Sequence, residues 1–239
     1  MNISDTVRFS RHPLRRLGVS LAAAALGLLM AAGPLSAQDD PGLAAYSRGF
    51  SLSLAPNAIM PINGSYADHA SLSKAAPFGM GLEVGIHYRM FRYFSLSLTG
   101  IENWIPMADD YKTVAYQGQS PAFLLPALSL SGIVHLAVGY PVSPFLRVGG
   151  GISPWRFSGS GLTGETWPAP SRPGNDFSKL SPEAHIGFGV ETLRFGRFAV
   201  LSELRYTFVF ARDPSRFGTD DFSEQGFLSL HFGLIFHLN

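Results

Sequence analysis

Five histidines, His87, His135, His185, His231 and His237, share alternate positions with ionisable groups of both signs, Glu83, Glu183, Glu191 and Glu203 beside Arg89, Arg147 and Arg205. Imidazole binds metals and titrates near neutrality, and carboxylates paired with bases can move protons. Metal ligation, however, needs donors that converge. The histidines are spread over four segments, and the two on one segment, His231 and His237, stand about 20 Å apart along an extended chain. That spacing favours hydrogen-bonded fillers of a polar interior, with no catalytic, metal or cofactor set assigned.

Two further patterns carry the letters of chemistry without its context. Gly159, Gly161 and Gly164 match the spacing of a dinucleotide fingerprint, but that motif needs a strand before it and a helix after it to hold phosphates. Here it lies in a Pro-rich stretch with no helical pattern following. His69-Ala70-Ser71 places a base near a hydroxyl, but a nucleophilic serine also needs an orienting carboxylate in reach. Asp68, the nearest acid, is the histidine's own neighbour in sequence.

The elements that position these groups are alternating strands. In the last segment, 226–238, Leu228, Leu230, Phe232, Leu234, Phe236 and Leu238 oppose Ser229, His231, Gly233 and His237, with Ile235 as the misfit. Side chains of a strand turn to opposite faces, so one face is oily and the other small or polar. The same sorting predicts strands over 48–60, 78–89, 94–104, 127–138, 145–154, 182–193 and 198–211, each near the length of a tilted membrane strand. In the third, Glu102 and the region around Gly100 interrupt the alternation, which predicts a bulge or an early exit. Connections alternate in length. The short ones are 91–93, 139–144 and 194–197, and the long ones, 61–77, 105–126, 155–181 and 212–225, are rich in Pro, Gly, Ser, Asp and Asn and predict loops.

Glycine, serine and alanine interleave with the large charged groups on the polar face, which suits the narrow inside of an eight-stranded barrel. Glu83, His87, Arg89, His135, Arg147, Glu183, His185, Glu191, Glu203, Arg205 and His231 are therefore expected to form a polar network in the lumen, paired as buried charges require. The three lysines, Lys74, Lys112 and Lys179, are expected in loops. On the apolar face, Leu234→Arg should block insertion, whereas Gly233→Ala on the other face should be milder. Tyr88, Phe91, Tyr93, Phe94, Tyr140, Phe145, Phe195 and Phe198 predict an aromatic girdle at the short turns. Trp104 and Trp155 predict its counterpart at the long loops. The remaining loop aromatics, among them Tyr66, Tyr111, Tyr116, Phe157, Trp167, Phe177, Phe217 and Phe222, are candidates for either a girdle or a recognition surface.

Residues 1–37 read as a cleavable export signal. Arg8, Arg11, Arg15 and Arg16 precede an apolar run of about 17 residues, short for a bilayer span, and Ala37 precedes Gln38-Asp39-Asp40. Without that segment, 14 basic and 16 acidic residues remain, too little positive charge for a nucleic-acid footprint. With no cysteine, the chain has no disulfide, thiolate metal site or acylated cysteine. The mature chain holds no second long apolar run, so entry into a membrane would have to be as strands closed into a barrel.

Together, these features resemble the small eight-stranded outer-membrane barrels that include the OmpA transmembrane domain and OmpX. His231, Gly233, Phe236 and Leu238 resemble the C-terminal assembly signal of such proteins, with Asn239 following where an aromatic residue usually ends the chain. The expected organisation is a signal peptide over 1–37, a short N-terminal periplasmic segment over 38–47 and an all-β, antiparallel, up-and-down transmembrane barrel over 48–239. The resemblance implies insertion by the barrel assembly machinery, contact with outer-membrane lipids and lipopolysaccharide, and a monomer. A non-enzymatic structural or surface-interaction role is expected, with an unidentified extracellular ligand at the loops. Two rivals remain. Barrels of this size include enzymes acting on lipid A acyl chains, and one deacylase family carries His-x-Ser-Asn where this chain has Leu72 in the last place. A secreted, lipocalin-like barrel would instead bind an apolar ligand.

Overall fold

The computed structural model describes residues 49–66, 70–108, 122–138, 140, 142–158, 178–195, 197–213 and 223–238. Eight of its antiparallel segments close on themselves. They are β1 (Gly49–Asn63), β4 (Gly79–Phe91), β5 (Phe94–Pro106), the collinear pair β6 (Ala122–Leu124) and β7 (Ala127–His135), β8 (Val142–Ser158), β9 (Ser178–Phe195), β10 (Phe198–Val209) and β11 (Gln225–His237). Each pairs with its sequence neighbour, and β1 also pairs with β11. Closure leaves no open edge, the condition for strands in lipid. A small ribbon, β2 (Ser65–Tyr66) with β3 (Ala70–Ser71), and one helical turn, α1 (Leu72–Ala75), follow β1.

All eight predicted strands are present. Connections are short at one rim and long at the other, the layout of outer-membrane barrels. Several expectations need correction at the long-loop end. β8 and β9 run further than their alternation, so Lys179 lies within β9, and Lys74 lies in α1. Ala122–Leu124, expected in a loop, continues the wall as β6. Glu102 marks neither bulge nor exit, because β4 and β5 pair without a break from Met80↔Trp104 to Arg89↔Ser95.

The faces sort as the alternation requires. Outward, Met80, Phe232 and Leu234 are 58%, 62% and 54% exposed, whereas Glu83, Arg205 and His231 are 0%, 1% and 1% exposed within the lumen. Such an exterior excludes the lipocalin-like alternative, whose outside must meet water. Near the short turns, Phe91, Tyr93, Tyr140 and Phe198 are exposed, and Phe50 packs on Tyr88 and Phe198 on Phe236 at ring separations of 4.7 and 4.9 Å. Phe145 does not join this girdle. It is 2% exposed and turns into the lumen beside His135, because it shares the inward phase of Arg147. Trp104 faces outward, as expected, but Trp155 is fully buried.

Inward glycines are a product of curvature, since side chains on the inside of a narrow cylinder converge. A Cβ on Gly233 would lie 2.5 Å from Ala55 Cα and Cβ. Gly233→Ala therefore presses β11 against β1, a steric cost that the alternation alone does not reveal. Outward Gly100, by contrast, has open space around its Cβ direction.

Candidate functional site

The lumen is the chemically distinctive part of the molecule. A chain of polar side chains crosses it from β11 to β5. His231 Nδ1 lies 3.5 Å from Glu83 Oε2, and Arg205 Nη1 donates to the same oxygen at 2.6 Å. Arg205 also grips Glu203 with two parallel bonds, Nε to Oε1 at 2.8 Å and Nη2 to Oε2 at 3.0 Å, the fork that suits guanidinium to carboxylate. Arg147 Nε approaches Glu203 Oε1 at 3.1 Å, and its Nη1 donates to Ser97 Oγ at 3.3 Å. Two carboxylates thus meet two guanidiniums, and the belt is charge-balanced as burial demands. Gly187 makes room for it, since a Cβ there would strike Glu203 Oε1.

Each of the five histidines meets a serine hydroxyl. The pairs are His87 with Ser53, His135 with Ser95, His185 with Ser131, His231 with Ser229 and His237 with Ser51, at 2.7 to 3.0 Å. Arg89 Nη2 lies within 3.1 Å of the His135 ring nitrogens. Glu183 accepts a short hydrogen bond from Ser129 and lies 3.6 Å from His185, and Glu191 lies 3.3 Å from His237. All eleven residues expected in the lumen network are therefore on the inner face. They form several clusters, however, because Glu183 and Glu191 sit at different heights from the central belt.

Three of these contacts set serine, histidine and glutamate in a row among the described residues, which is the order of a hydrolytic triad. Ser131 and Ser229 are 2% and 5% exposed and sealed inside the barrel, so no substrate reaches them. Ser51, with His237 and Glu191, lies at the short-turn mouth beside a cavity of about 40 Å³. That space suits water.

Beyond the belt, toward the long loops, the filling changes character. Ile59, Ile105, Phe123, Leu125, Trp155 and Phe227 form one buried apolar cluster, joined by Leu72, Ala75 and Ala76 of α1 and its end. Phe123 stands 5.8 Å from Trp155 and 6.0 Å from Phe227 by ring centroids, and Trp155 Nε1 donates to Ser181 Oγ at 3.0 Å. Alternation alone misses this layer because apolar residues occupy both faces there. The tell-tale signal is their phase: Phe123, Trp155 and Phe227 each fall in step with an inward polar residue of the same wall.

At the C-terminus His231 and Gly233 point inward, whereas Phe236 packs outward on Phe198 and Leu238 is exposed. The catalytic pattern at His69 and Asp68, the glycines at 159, 161 and 164, residues 1–48 and Asn239 lie outside the described residues. So do Tyr111, Tyr116, Trp167, Phe177, Phe217 and Phe222, and the side chains of Tyr66, Phe157 and Phe195. Ser71, the third member of that pattern, shares a hydrogen bond of 2.7 Å with Ser73.

Comparison with known proteins shows where this architecture recurs. No protein-family model matches the sequence, and no curated protein matches it. Among solved structures, Neisserial surface protein A (NspA) aligns with a TM-score of 0.50 and 14% identity, over 79% of this chain and 96% of its own. The outer membrane protein OprG from Pseudomonas aeruginosa aligns at 0.48 and 9% identity, over 81% and 97%. The attachment invasion locus protein Ail of Yersinia pestis, solved with the heparin analogue sucrose octasulfate, aligns at 0.46 and 14%, over 80% and 99%. At such identities the likeness concerns the fold: this chain is built as a small eight-stranded barrel of the outer-membrane type.

Proposed function

We propose that the protein resides in the bacterial outer membrane as a closed, monomeric, non-enzymatic barrel that holds its four long connections outside the cell for structural or surface-interaction roles. The single observation that carries this reading is the continuous filling of the lumen, from the His237 and Glu191 mouth through the Glu83–Arg205–Glu203–Arg147 belt to the Trp155 layer. Barrels of eight strands have an interior just wide enough for side chains. The lipid-facing band supports contact with outer-membrane lipids and lipopolysaccharide. The C-terminal pattern supports insertion by the barrel assembly machinery.

Purified protein in planar bilayers tests the closed lumen. The expected result is a folded barrel, seen as faster migration on an unheated gel, that gives no stepwise conductance. Steps of defined size from folded protein would refute closure.

One observation favours a second reading. Ser51, His237 and Glu191 have the order of a triad at a mouth, which keeps a hydrolytic enzyme in view. A fluorophosphonate probe that labels wild-type protein but not Ser51→Ala would establish it. Absence of labelling would remove it.

A further inference from the structure

Between β6–β7 and β8 the barrel wall has a seam where the ladder is interrupted. β6 pairs with β8 at Leu124↔Arg156 and β7 pairs with β8 at Leu128↔Ile152. The register is unchanged across the break, so counting in from either flank brings Pro126 opposite Pro154. Leu125 exchanges both backbone hydrogen bonds with Asn103 of β5. Alternation therefore aims the backbone of Pro126 at β8, at a position where both partners should donate. Proline has no N–H to donate. The carbonyl of Pro126 is met only by a side chain, with Ser153 Oγ donating at 2.7 Å. Two opposed prolines thus remove two ladder bonds from one row of the wall.

A cavity of about 410 Å³ opens at this row, lined by Glu102, Pro126, Pro154, Trp155, Arg156 and Leu180, with Lys179 at its edge. Its floor continues into the outward apolar surface of Leu128, Ile152 and Leu180. Arg156 is exposed, and among the described residues it has no ion-pair partner. Lys179 pairs with Trp155 across the strands and shares its inward phase, held by Asp213 at 3.5 Å and the Arg212 carbonyl at 3.0 Å, so Arg156 is the cation on the outer face of this row. Glu102 shares the row of the prolines, outward on β5, two residues further from the long loops than the row of Arg156. A carboxylate on an otherwise apolar outer face calls for a donor.

We propose that this seam is a binding groove for a membrane lipid with an anionic phosphate headgroup. The Arg156 guanidinium takes the phosphate, the acyl chain lies over Pro126, Pro154 and Leu180, and Glu102 accepts hydrogen bonds from the lipid's hydroxyl groups. The charge pattern fits this occupant: the Arg156 guanidinium stands at the outer level, where a headgroup lies, and apolar surface lies beneath, where a chain does. The groove rests on the membrane residence proposed above.

Trp155 lines the cavity from its lumen side and serves as the reporter. In a Trp104→Phe, Trp167→Phe background it is the sole tryptophan of the three in the chain. The protein is reconstituted in bilayers containing phosphatidylglycerol or phosphatidylcholine with chains brominated near the headgroup, and the relative association constant of the two lipids is read from quenching. Brominated phosphatidylglycerol is expected to quench Trp155 preferentially. Arg156→Gln should reduce that preference about tenfold, the scale of one charge-assisted hydrogen bond. Pro126→Ala with Pro154→Ala, which restores both N–H donors, should weaken quenching by either lipid. Equal quenching by the two lipids, a preference unmoved by Arg156→Gln, or quenching unmoved by the double alanine variant would overturn the groove. Heat-dependent gel mobility separates the two levels: a chain that never inserts overturns residence and groove together, whereas an inserted barrel without lipid preference overturns the groove alone.

Discussion

The middle of the lumen and its long-loop end are closed by opposite means. Around Glu203, closure comes from charge, with Arg147 and Arg205 gripping one carboxylate. Around Trp155 it comes from oil, with Phe123, Phe227 and Leu72 excluding water. The contrast shows that a narrow barrel needs filled volume and satisfied polar atoms rather than any one chemistry. Buried ion pairs gain little over apolar packing of equal volume, yet they are costly to break singly. The belt should therefore be brittle to single changes and tolerant of concerted ones, and the apolar layer should respond in proportion to the volume removed.

The largest expected effect breaks the belt. Glu203→Ala leaves two guanidiniums buried without their shared partner and should cost about 3 to 5 kcal/mol, measured by urea unfolding in lipid vesicles. Replacing Glu83 and Glu203 by Leu together with Arg147 and Arg205 by Met should be nearly neutral or stabilising in the same assay. If the concerted variant lost as much as the single one, the belt would be more than volume and balance. In the apolar layer, Trp155→Ala should cost about 3 kcal/mol. Trp155→Phe keeps most of the area and forfeits the bond to Ser181, so about 1 kcal/mol is expected. A last pair compares the two sides of the wall and includes the smallest effect. Gly187→Ala pushes a methyl against Glu203 and should cost about 1 to 3 kcal/mol, whereas Gly100→Ala, with open space around it, should stay within about 0.5 kcal/mol.

The belt was legible in the sequence and the oily layer was not, for one physical reason. Away from the rims, a charge is tolerated only on the inner side of a wall that faces lipid, so Glu83, Arg147, Glu203 and Arg205 fix the phase of their strands. Phe145 and Trp155 are at home on either side, and their aromatic character alone pointed to a girdle. Their phase relative to Arg147 on the same strand resolves both. What lay beyond reach depends on neighbours across strands. That Pro126 faces Pro154, that Gly233 abuts Ala55 and that Arg205 spans Glu83 and Glu203 are facts of register, and register is set by pairing between segments far apart in the chain. Glu102 was misread for the same reason: one outward carboxylate looked like the end of a strand, although β5 continues past it to Pro106.

Photolabelling from within the bilayer tests the arrangement most directly. With a diazirine carried on a lipid acyl chain and the adducts mapped by mass spectrometry, Met80, Leu204, Phe232 and Leu234 are expected to be labelled while Glu83, Arg205 and His231 stay clean. Adducts on Glu83 or Arg205, with Phe232 and Leu204 unmarked, would contradict it.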